Sequence, residues 1–594
     1  MHKHKKMLSI AVALLVLSSC DPVASSIENS VDSENSSAET SSEQISAIPD
    51  IDADLPAYEK VDRTADYIDD DNYRDFYHIF VHSFADSNGD GIGDIRGIID
   101  KLDYLRNEDD PHGYDSLGIN GIFLSPVQYA SSYHGYDTID YEKIDPDFGT
   151  MADFDELIAD CHTRGIKVVM DLVLNHASTS NEYFKLAKNA LSTDVDKDDF
   201  DVDGRPTAGL LERHPEVGYF RFINKNYTFS TYSNRLYDIV GDWKFEGFST
   251  SMPDWNLENP AVKTLHKEYM KFWLDKGVDG YRLDAVQSYF GEQTINKDMN
   301  YEYINFIDEY TKSINPDAYV IAEGPWSMTG CQSYIENTDI DSYFDFDTSF
   351  SNIASKKAMY LNELRDGDMS LSAIESFLSL EGAETGFNPT HIDAYFNSNH
   401  DIGRITNQFA YKGQLFLKQL KFHIALQNMF KGNYFLYYGD EIGLCGIKFT
   451  DDDKPCRSPF LWGDEYETEE LEAGLNDRAQ QYFEAENVQK NDSDSLFNFV
   501  RRLFKVKEDN PSIARGESSY AYESDENEII TINKTYNSIV TKLVINYGQQ
   551  EKIVTQDSIA ATGDIRNCLS TDGSYASVTD GTLTLPALSI TVIE

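Results

Sequence analysis

Basic residues are scarce in this chain. Its 594 residues include 50 lysines and arginines against 102 aspartates and glutamates, which gives a formal net charge of −52. Such an excess of negative charge argues against nucleic acid or an anionic surface as a partner. A neutral polymer suits the chain better as a ligand, although adaptation to salt or simple solubility would produce the same charge.

Cysteines are also few. There are six, and one of them, Cys20, lies near the start of the chain. The spacing of the other five matches no zinc site, and an odd number cannot all pair. A disulfide between Cys445 and Cys456 is one alternative in an exported protein, and unpaired, buried thiols are the favoured one. The five are Cys161, Cys331, Cys445, Cys456 and Cys568.

Long hydrophobic runs are absent except at the start of the chain. Basic residues precede the apolar run 7–17, which is too short to span a bilayer as a mature helix, so residues 1–20 indicate an export signal. The end of this run, LSSC, resembles a bacterial lipobox in which Cys20 becomes the lipidated first residue; an ordinary cleaved signal is the alternative. Residues 21–73 are rich in Ser, Glu and Asp, as expected of a disordered tether.

From about residue 74 the chain alternates strand-like and helix-like segments, a pattern typical of parallel βαβ units. Segments 153–164 and 261–276 have the apolar spacing of helices. We predict an α/β fold in which residues 74–176 and 257–511 form a (β/α)8 TIM barrel, with the active site at the carboxyl ends of its strands. Eight strand candidates can be counted: 77–84, 121–125, 167–174, 280–286, 318–323, 342–347, 394–399 and 434–439.

Two segments depart from the barrel pattern. Residues 177–256 follow the third strand and are too many for an ordinary βα loop, so they predict an inserted irregular domain. From residue 512 to residue 594, short β-rich runs separated by turn residues predict a C-terminal antiparallel β-sandwich.

Four carboxylates follow strand-like runs. They are Asp171 in MDLVLNH, Asp284 in GYRLDAV, Glu323 after AYVIA and Asp401 after AYFNSNH. Because side chains at i and i+2 of a strand share a face, Arg282 can hydrogen-bond Asp284 and keep it ionised. Any one acid alone could instead cap a strand or pair with a base. The ordered set resembles the four short signature regions of the α-amylase family of glycoside hydrolases (family 13).

The resemblance implies a retaining mechanism. One carboxylate attacks the anomeric carbon and a second, protonated one gives the leaving oxygen its proton, with the two groups about 5 Å apart. Asp284 suits the first role and Glu323 the second, and the resemblance gives Asp401 the role of favouring the distorted sugar in the transition state. It also implies five substrate-binding residues: Tyr136, Asp171, His176, Arg282 and His400.

An acidic loop follows the first predicted strand. The segment DSNGDGIGD, residues 86–94, places oxygen ligands as in an EF-hand, with glycine at position 6, but position 12 is Gly97 instead of glutamate. It resembles the metal loop of oligo-1,6-glucosidase-like members, which implies one structural Ca²⁺; a solvated acidic turn is the alternative. The implied ligands are Asp86, Asn88, Asp90, Asp94 and the carbonyl of Ile92.

Other segments refine the resemblance. The strings MPDWN at 252–256 and RSPFLW at 457–462 resemble members intermediate between oligo-1,6-glucosidases and neopullulanases. Gln287 and Ser288 replace the family's usual Lys-His, so an interdomain calcium has no support here. Trp326, in an uncommon continuation after the predicted acid, is either a sugar platform or a packing residue.

These observations together predict an exported, membrane-anchored lipoprotein, on the cell surface or the periplasmic side, that cleaves internal α-1,4 bonds of starch and related α-glucans. The alternatives are an exo-acting α-glucosidase or oligo-1,6-glucosidase and a cyclomaltodextrinase-like hydrolase; a glucan-binding lipoprotein is the non-enzyme alternative. We expect a monomer that touches the membrane only through its lipid anchor and does not bind nucleic acid.

The lipobox predicts that Cys20 carries the anchor. Replacing Cys20 by serine removes the thiol that would be lipidated, so active enzyme should move from the membrane fraction to the soluble fraction. Fractionation followed by a starch assay measures this, with the wild-type chain as control. Unchanged membrane association of the variant would reject the lipoprotein assignment.

Overall fold

The computed structural model describes most of the chain beyond residue 54. The predicted signal, Cys20 and residues 21–54 of the predicted tether lie outside the described residues. Within the described part, no helix has both the length and the apolar character needed to cross a membrane. The described residues are 55–202, 205–225, 236–239, 241–291, 296–349, 356–411, 414–448, 452–472 and 482–594.

Eight parallel strands form the centre of the fold. They are β1 Asp75–Ile79, β2 Gly121–Leu124, β3 Lys167–Leu172, β4 Gly280–Leu283, β5 Tyr319–Ala322, β6 Ser342–Tyr343, β7 Ala394–Phe396 and β8 Asn433–Tyr437. Their order in the sheet is β6-β5-β4-β3-β2-β1-β8-β7. A parallel bridge between Phe344 and Ala394 joins the two outer strands. The predicted TIM barrel is therefore confirmed.

All eight predicted strands exist, but several end earlier than the apolar runs do. The first run was predicted as 77–84, whereas β1 ends at Ile79. Phe80, Val81 and Phe84 are nevertheless buried, because the loop after β1 packs into the core. Apolar composition alone does not distinguish a buried loop from a buried strand.

Helices surround the barrel. The helix Met151–Thr163 begins with a capping box between Thr150 and Asp153 and buries Phe154 and Leu157 on one face. Other helices between and after the strands are Ile95–Asp100, Pro260–Asp275, Lys297–Ile314, Met328–Ile335, Lys356–Asp366, Leu371–Leu378, Leu417–Asn428 and Leu496–Glu508.

The chain between β3 and the helix Pro260–Asp275 forms a small additional unit. It contains the helices Glu182–Thr193 and Ala208–Arg213. An antiparallel sheet follows them, built from Phe222–Asn224, Leu236–Asp238, Trp243–Ser249 and Met252–Pro253.

Eight further strands follow the barrel. They are β9 Glu517–Ser524, β10 Ile529–Tyr536, β11 Ile539–Asn546, β12 Lys552–Thr555, β13 Ile565–Ser570, β14 Ser577–Thr579, β15 Thr582–Leu585 and β16 Ser589–Ile593. They form antiparallel sheets in the orders β9-β10-β11-β16-β13 and β12-β15-β14. Ile529, Val544 and Leu583 pack in one cluster contributed by both sheets. Ile530, on the opposite face of β10, belongs to the main core.

The end of the predicted tether is packed and not disordered. In residues 55–73, Glu59 is buried and accepts a hydrogen bond from the backbone N–H of Cys568, on β13, at 2.7 Å. The prediction of a disordered tether over 21–73 is therefore wrong for this part, because its polar side chains find partners far along the chain.

The five cysteines of the described part are buried, and none of them forms a disulfide with another described cysteine. This confirms the favoured alternative and excludes a bond between Cys445 and Cys456. Burial raises the pKa of the Cys456 thiol to about 12 and that of Cys568 to about 11. These thiols therefore remain protonated near neutral pH.

Candidate active site

A cleft of about 700 Å³ lies at the carboxyl ends of the barrel strands. Asp284 follows β4, Glu323 follows β5 and Asp401 follows β7, and all three line the cleft. The inserted unit contributes Phe248 and Met252 to the lining of the same cleft. The fold thus gathers residues that are more than 100 positions apart in the sequence.

Arg282 joins three of the predicted acids. On neighbouring strands β3 and β4 it lies opposite Asp171, so both side chains point to the same face. Its Nη1 donates to Asp171 Oδ2 at 2.9 Å and to Asp284 Oδ1 at 2.7 Å. Its Nη2 donates to Glu323 Oε2 at 2.7 Å. The hydrogen bond that the sequence predicts between Arg282 and Asp284 is therefore present.

Tyr136 and His400 complete this side of the site. The Tyr136 hydroxyl donates to Asp171 Oδ2 at 2.9 Å and lies 2.6 Å from His400 Nε2. The two rings are stacked with their centroids 5.4 Å apart. Gly135, beside the tyrosine, has a φ of +80°, and a Cβ there would lie 2.7 Å from the carbonyl oxygen of Pro126. Backbone conformation and packing therefore require this glycine.

Asp401 is held by two cationic or polar neighbours. His400 Nε2 lies 2.9 Å from its Oδ2, and Arg457 Nη2 donates to its Oδ1 at 3.0 Å. Arg457 also donates to the Tyr133 hydroxyl at 2.9 Å. The sequence placed Arg457 in a family-like string but gave it no role, since nothing local indicates which distant acid it meets.

His176 also lines the cleft. Its ring stacks on Phe248 with centroids 4.7 Å apart. Asn175 Nδ2 is 3.1 Å from His176 Nδ1 and donates to Asp254 Oδ1 at 3.2 Å. Phe248 is 40% exposed, and it lies in the inserted unit, where the sequence offered no motif to mark it.

Burial and neighbouring charges shift the pKa values of the carboxyl groups in the cleft in different directions. Burial raises the pKa of Asp171 to about 7, and it also raises the pKa of Asp284 and Glu323, with Arg282 acting against it in each case. Burial acts on Asp401 as well, but His400 and Arg457 outweigh it and lower its pKa. The site therefore separates an ionised acid from acids that hold a proton more readily, as acid–base chemistry requires.

The acidic loop 86–94 is a chain of tight turns. Asp86 accepts from the backbone N–H of Gly91 at 2.7 Å, and Asp94 caps the helix Ile95–Asp100 by accepting from Gly97 N–H. Asp86 and Asp94 are only 3% and 4% exposed, and the described residues give neither an ion pair. Across those same residues, no group of three or more His, Cys, Asp or Glu side chains is placed to hold a metal ion. The other implied ligands are Asn88, Asp90 and Ile92.

Comparison with known proteins agrees with this geometry. Residues 78–516 match the model of the alpha amylase catalytic domain. The chain is 32% identical over 476 residues to alpha-amylase 3 of Dictyoglomus thermophilum, covering 77% of this chain and 83% of that protein. It is 28% identical to an oligo-1,6-glucosidase of Halalkalibacterium halodurans, covering 76% and 86%. The structure of Eubacterium rectale Amy13B superposes with a TM-score of 0.75 at 31% identity, covering 89% of this chain and 96% of that one. The chain therefore belongs to the α-amylase family of glycoside hydrolases.

Proposed function

We propose that this protein is a retaining glycoside hydrolase that cleaves internal α-1,4 bonds of starch and related α-glucans. The observation that carries the proposal is the single guanidinium of Arg282, which holds Asp284 and Glu323 through its two terminal nitrogens. A shared guanidinium favours the short separation, about 5 Å, of a retaining pair over the wider gap of an inverting pair.

In this proposal Asp284 is the nucleophile: burial raises its pKa, but the charge and hydrogen bond of Arg282 act against burial and favour the carboxylate. Its carboxylate bonds to the anomeric carbon while Glu323 gives its proton to the departing glycosidic oxygen, and a water activated by Glu323 then releases the sugar. The raised pKa of Glu323 suits a group that must hold a proton first. Asp401, whose pKa is lowered, would supply negative charge close to the oxocarbenium-like transition state.

Internal cleavage is supported by the residues at the sides of the cleft. In the family's exo-acting, oligo-1,6-glucosidase-like members an aspartate usually stands where Tyr133 stands here, and it grips a terminal sugar. Arg457 donates a hydrogen bond to the Tyr133 hydroxyl and so holds the ring in place. At the position of the aspartate, the cleft therefore offers an aromatic surface on which a continuing glucan chain can pack. Ala285 differs from the valine common in α-1,6-specific members, which favours α-1,4 linkages.

The similarity to an oligo-1,6-glucosidase is the observation that favours the exo-acting alternative. A glucan-binding protein without activity is disfavoured, because every acid that the chemistry needs lies in the cleft with its hydrogen-bond partners. Export and lipid anchoring through Cys20 remain part of the proposal, resting on the sequence alone.

We further propose one structural Ca²⁺ in the loop 86–94. Two buried carboxylates, Asp86 and Asp94, meet backbone N–H groups but no cationic side chain among the described residues, which leaves their charge for a cation to neutralise. Asn88, Asp90 and the Ile92 carbonyl supply further hard oxygens of the kind that calcium prefers.

Replacing either reacting acid should remove nearly all activity. Glu323→Gln keeps a hydrogen-bond acceptor but has no acidic proton to transfer to the leaving oxygen, so kcat on starch should fall by about 10²- to 10⁴-fold. The kcat of Asp284→Asn should fall at least as far. Both variants should still bind glucan, because the two groups act mainly in the transition state. Glu156→Gln, an exposed acid on an outer helix, is the matched control. Near-normal turnover by Glu323→Gln would overturn the acid–base assignment.

The mode of cleavage can be read from early products. Internal attack should abolish iodine staining and viscosity of starch early, and maltose and longer oligosaccharides should precede glucose. Chromatography of a time course measures this, with a known exo-acting glucosidase run alongside. Glucose as the sole early product from polymer that stays long would replace this proposal with the exo-acting one.

Calcium in the loop 86–94 should raise thermal stability. A ligand that binds only the native state stabilises it by about 2.7 kcal/mol at a hundredfold excess over Kd, so chelation should lower Tm and added Ca²⁺ should restore it. Asp90→Asn should weaken this response, and Asp147→Asn, an acid outside the loop, should not. If chelator leaves Tm unchanged and the purified protein contains no calcium, the metal assignment is wrong.

A further inference from the structure

Trp326 makes a hydrogen bond to the acid that the proposed mechanism uses. Its indole Nε1–H donates to Glu323 Oε1 at 2.9 Å. The other carboxyl oxygen, Oε2, accepts from Arg282 Nη2 at 2.7 Å. Two donors on different elements therefore hold the two oxygens of one buried carboxyl group, which fixes the plane of that group.

The indole is itself held firmly. Its ring stacks on Phe346 with centroids 5.0 Å apart and planes 10° from parallel, and Phe346 is buried inside the barrel. The chain turns tightly after the acid, since a Cβ at Gly324 would lie 2.5 Å from Cys331 Sγ. Ser327 then caps the helix Met328–Ile335. Trp326 is thus fixed between β5 and a helix start, although the residue is 43% exposed.

An indole N–H can donate a hydrogen bond but cannot accept one. Its bond to Glu323 therefore strengthens as that carboxyl group becomes negatively charged. This is what happens when the proton passes to the glycosidic oxygen, as the bond from that oxygen to the anomeric carbon breaks and Asp284 bonds to the carbon. The hydrogen bond is accordingly worth more after proton transfer than before it.

We propose that Trp326 is a positioning residue for the acid–base group: its indole N–H orients the carboxyl group of Glu323 and stabilises the carboxylate that remains when the proton has left. The inference rests on the proposed role of Glu323. It goes beyond both sequence-based alternatives, a sugar platform and a packing residue, because each of those concerns the face of the ring and neither requires the N–H.

The electrostatic setting gives the direction of the effect. Burial raises the pKa of Glu323, whereas Arg282 and the Trp326 hydrogen bond lower it. Losing the N–H should therefore raise that pKa. The charged groups that act on the acid are Arg282, Asp284 and Asp401, and Lys448 lies over the indole ring.

Trp326→Phe tests the proposal, because it keeps an aromatic ring on Phe346 and removes the N–H. Aryl α-maltosides whose leaving phenols differ in acidity separate the roles. Phenol needs protonation to leave, so kcat/KM for phenyl α-maltoside should fall roughly tenfold to a hundredfold. Dinitrophenolate leaves unaided, so kcat/KM for 2,4-dinitrophenyl α-maltoside should fall less than about threefold.

The pH profile supplies a second readout. Glu323 must be protonated to act, so activity is lost as pH rises through its pKa. Because removal of the N–H raises that pKa, the basic limb of kcat/KM should move to higher pH in Trp326→Phe. Phe248→Leu is the matched control, because it removes an exposed aromatic surface that has no hydrogen-bond donor. It should lower kcat/KM for both aryl substrates by a similar factor and leave the basic limb of the pH profile in place.

Equal losses on both aryl substrates with an unmoved basic limb would overturn the inference and leave Trp326 a platform or packing residue. If Trp326→Phe does not fold, Phe346→Leu is the second variant, because it keeps the indole N–H but loosens the ring. It should lower kcat/KM less than Trp326→Phe does, and again more for the phenyl than for the dinitrophenyl substrate. Equal losses of kcat/KM on the two substrates in Phe346→Leu would also overturn the inference. Turnover of starch by Glu323→Gln decides the proposed role of Glu323 separately, because that variant leaves Trp326 and Phe346 in place.

Discussion

The guanidinium of Arg282 is the interaction on which the site depends. It meets Asp171, Asp284 and Glu323, three carboxyl groups that the barrel removes almost completely from water. Without a cation between them such groups would repel one another and take up protons. A buried charge network of this kind tolerates the loss of its shared partner poorly, since several acids are then left uncompensated. One side chain therefore sets the spacing of the acids and opposes the rise in their pKa values that burial causes.

The barrel makes this arrangement possible through strand register. Because β3 and β4 are parallel and Asp171 lies opposite Arg282, two residues 111 positions apart meet on one face without any special loop. The remaining contacts come from less regular segments. Arg457 reaches Asp401 from the end of a short 3-10 helix, Lys454–Arg457, after the last barrel strand, and Phe248 approaches His176 from the inserted unit. Regular structure thus places the charges that react, and irregular structure supplies their outer partners.

This division also describes what the sequence could predict. The eight strands and the acids after them lie in short apolar segments whose pattern is local, and the Arg282–Asp284 contact follows from strand geometry. Three contacts could not be predicted from the sequence. They are the partner of Arg457, the hydrogen bond from Trp326 to Glu323, and the burial of Glu59 against β13 in a segment whose composition predicts disorder. The strand ends were also misjudged, because Phe80 and Val81 are buried without being in a strand. The partners of Arg457 and Glu59 lie far along the chain, where composition cannot bring them together, and the bond from Trp326 to Glu323 spans three positions but depends on a turn that composition does not reveal.

The five buried cysteines have a consequence for where this fold can persist. Within the described residues no covalent cross-link ties one part of the chain to another, so packing and hydrogen bonds alone maintain its shape. Burial keeps the thiols protonated, and protonated thiols exchange slowly with disulfides and resist oxidation. The folded body should therefore be indifferent to the reduction potential of its surroundings, and neither a thiol-rich medium nor an oxidising one should change its stability.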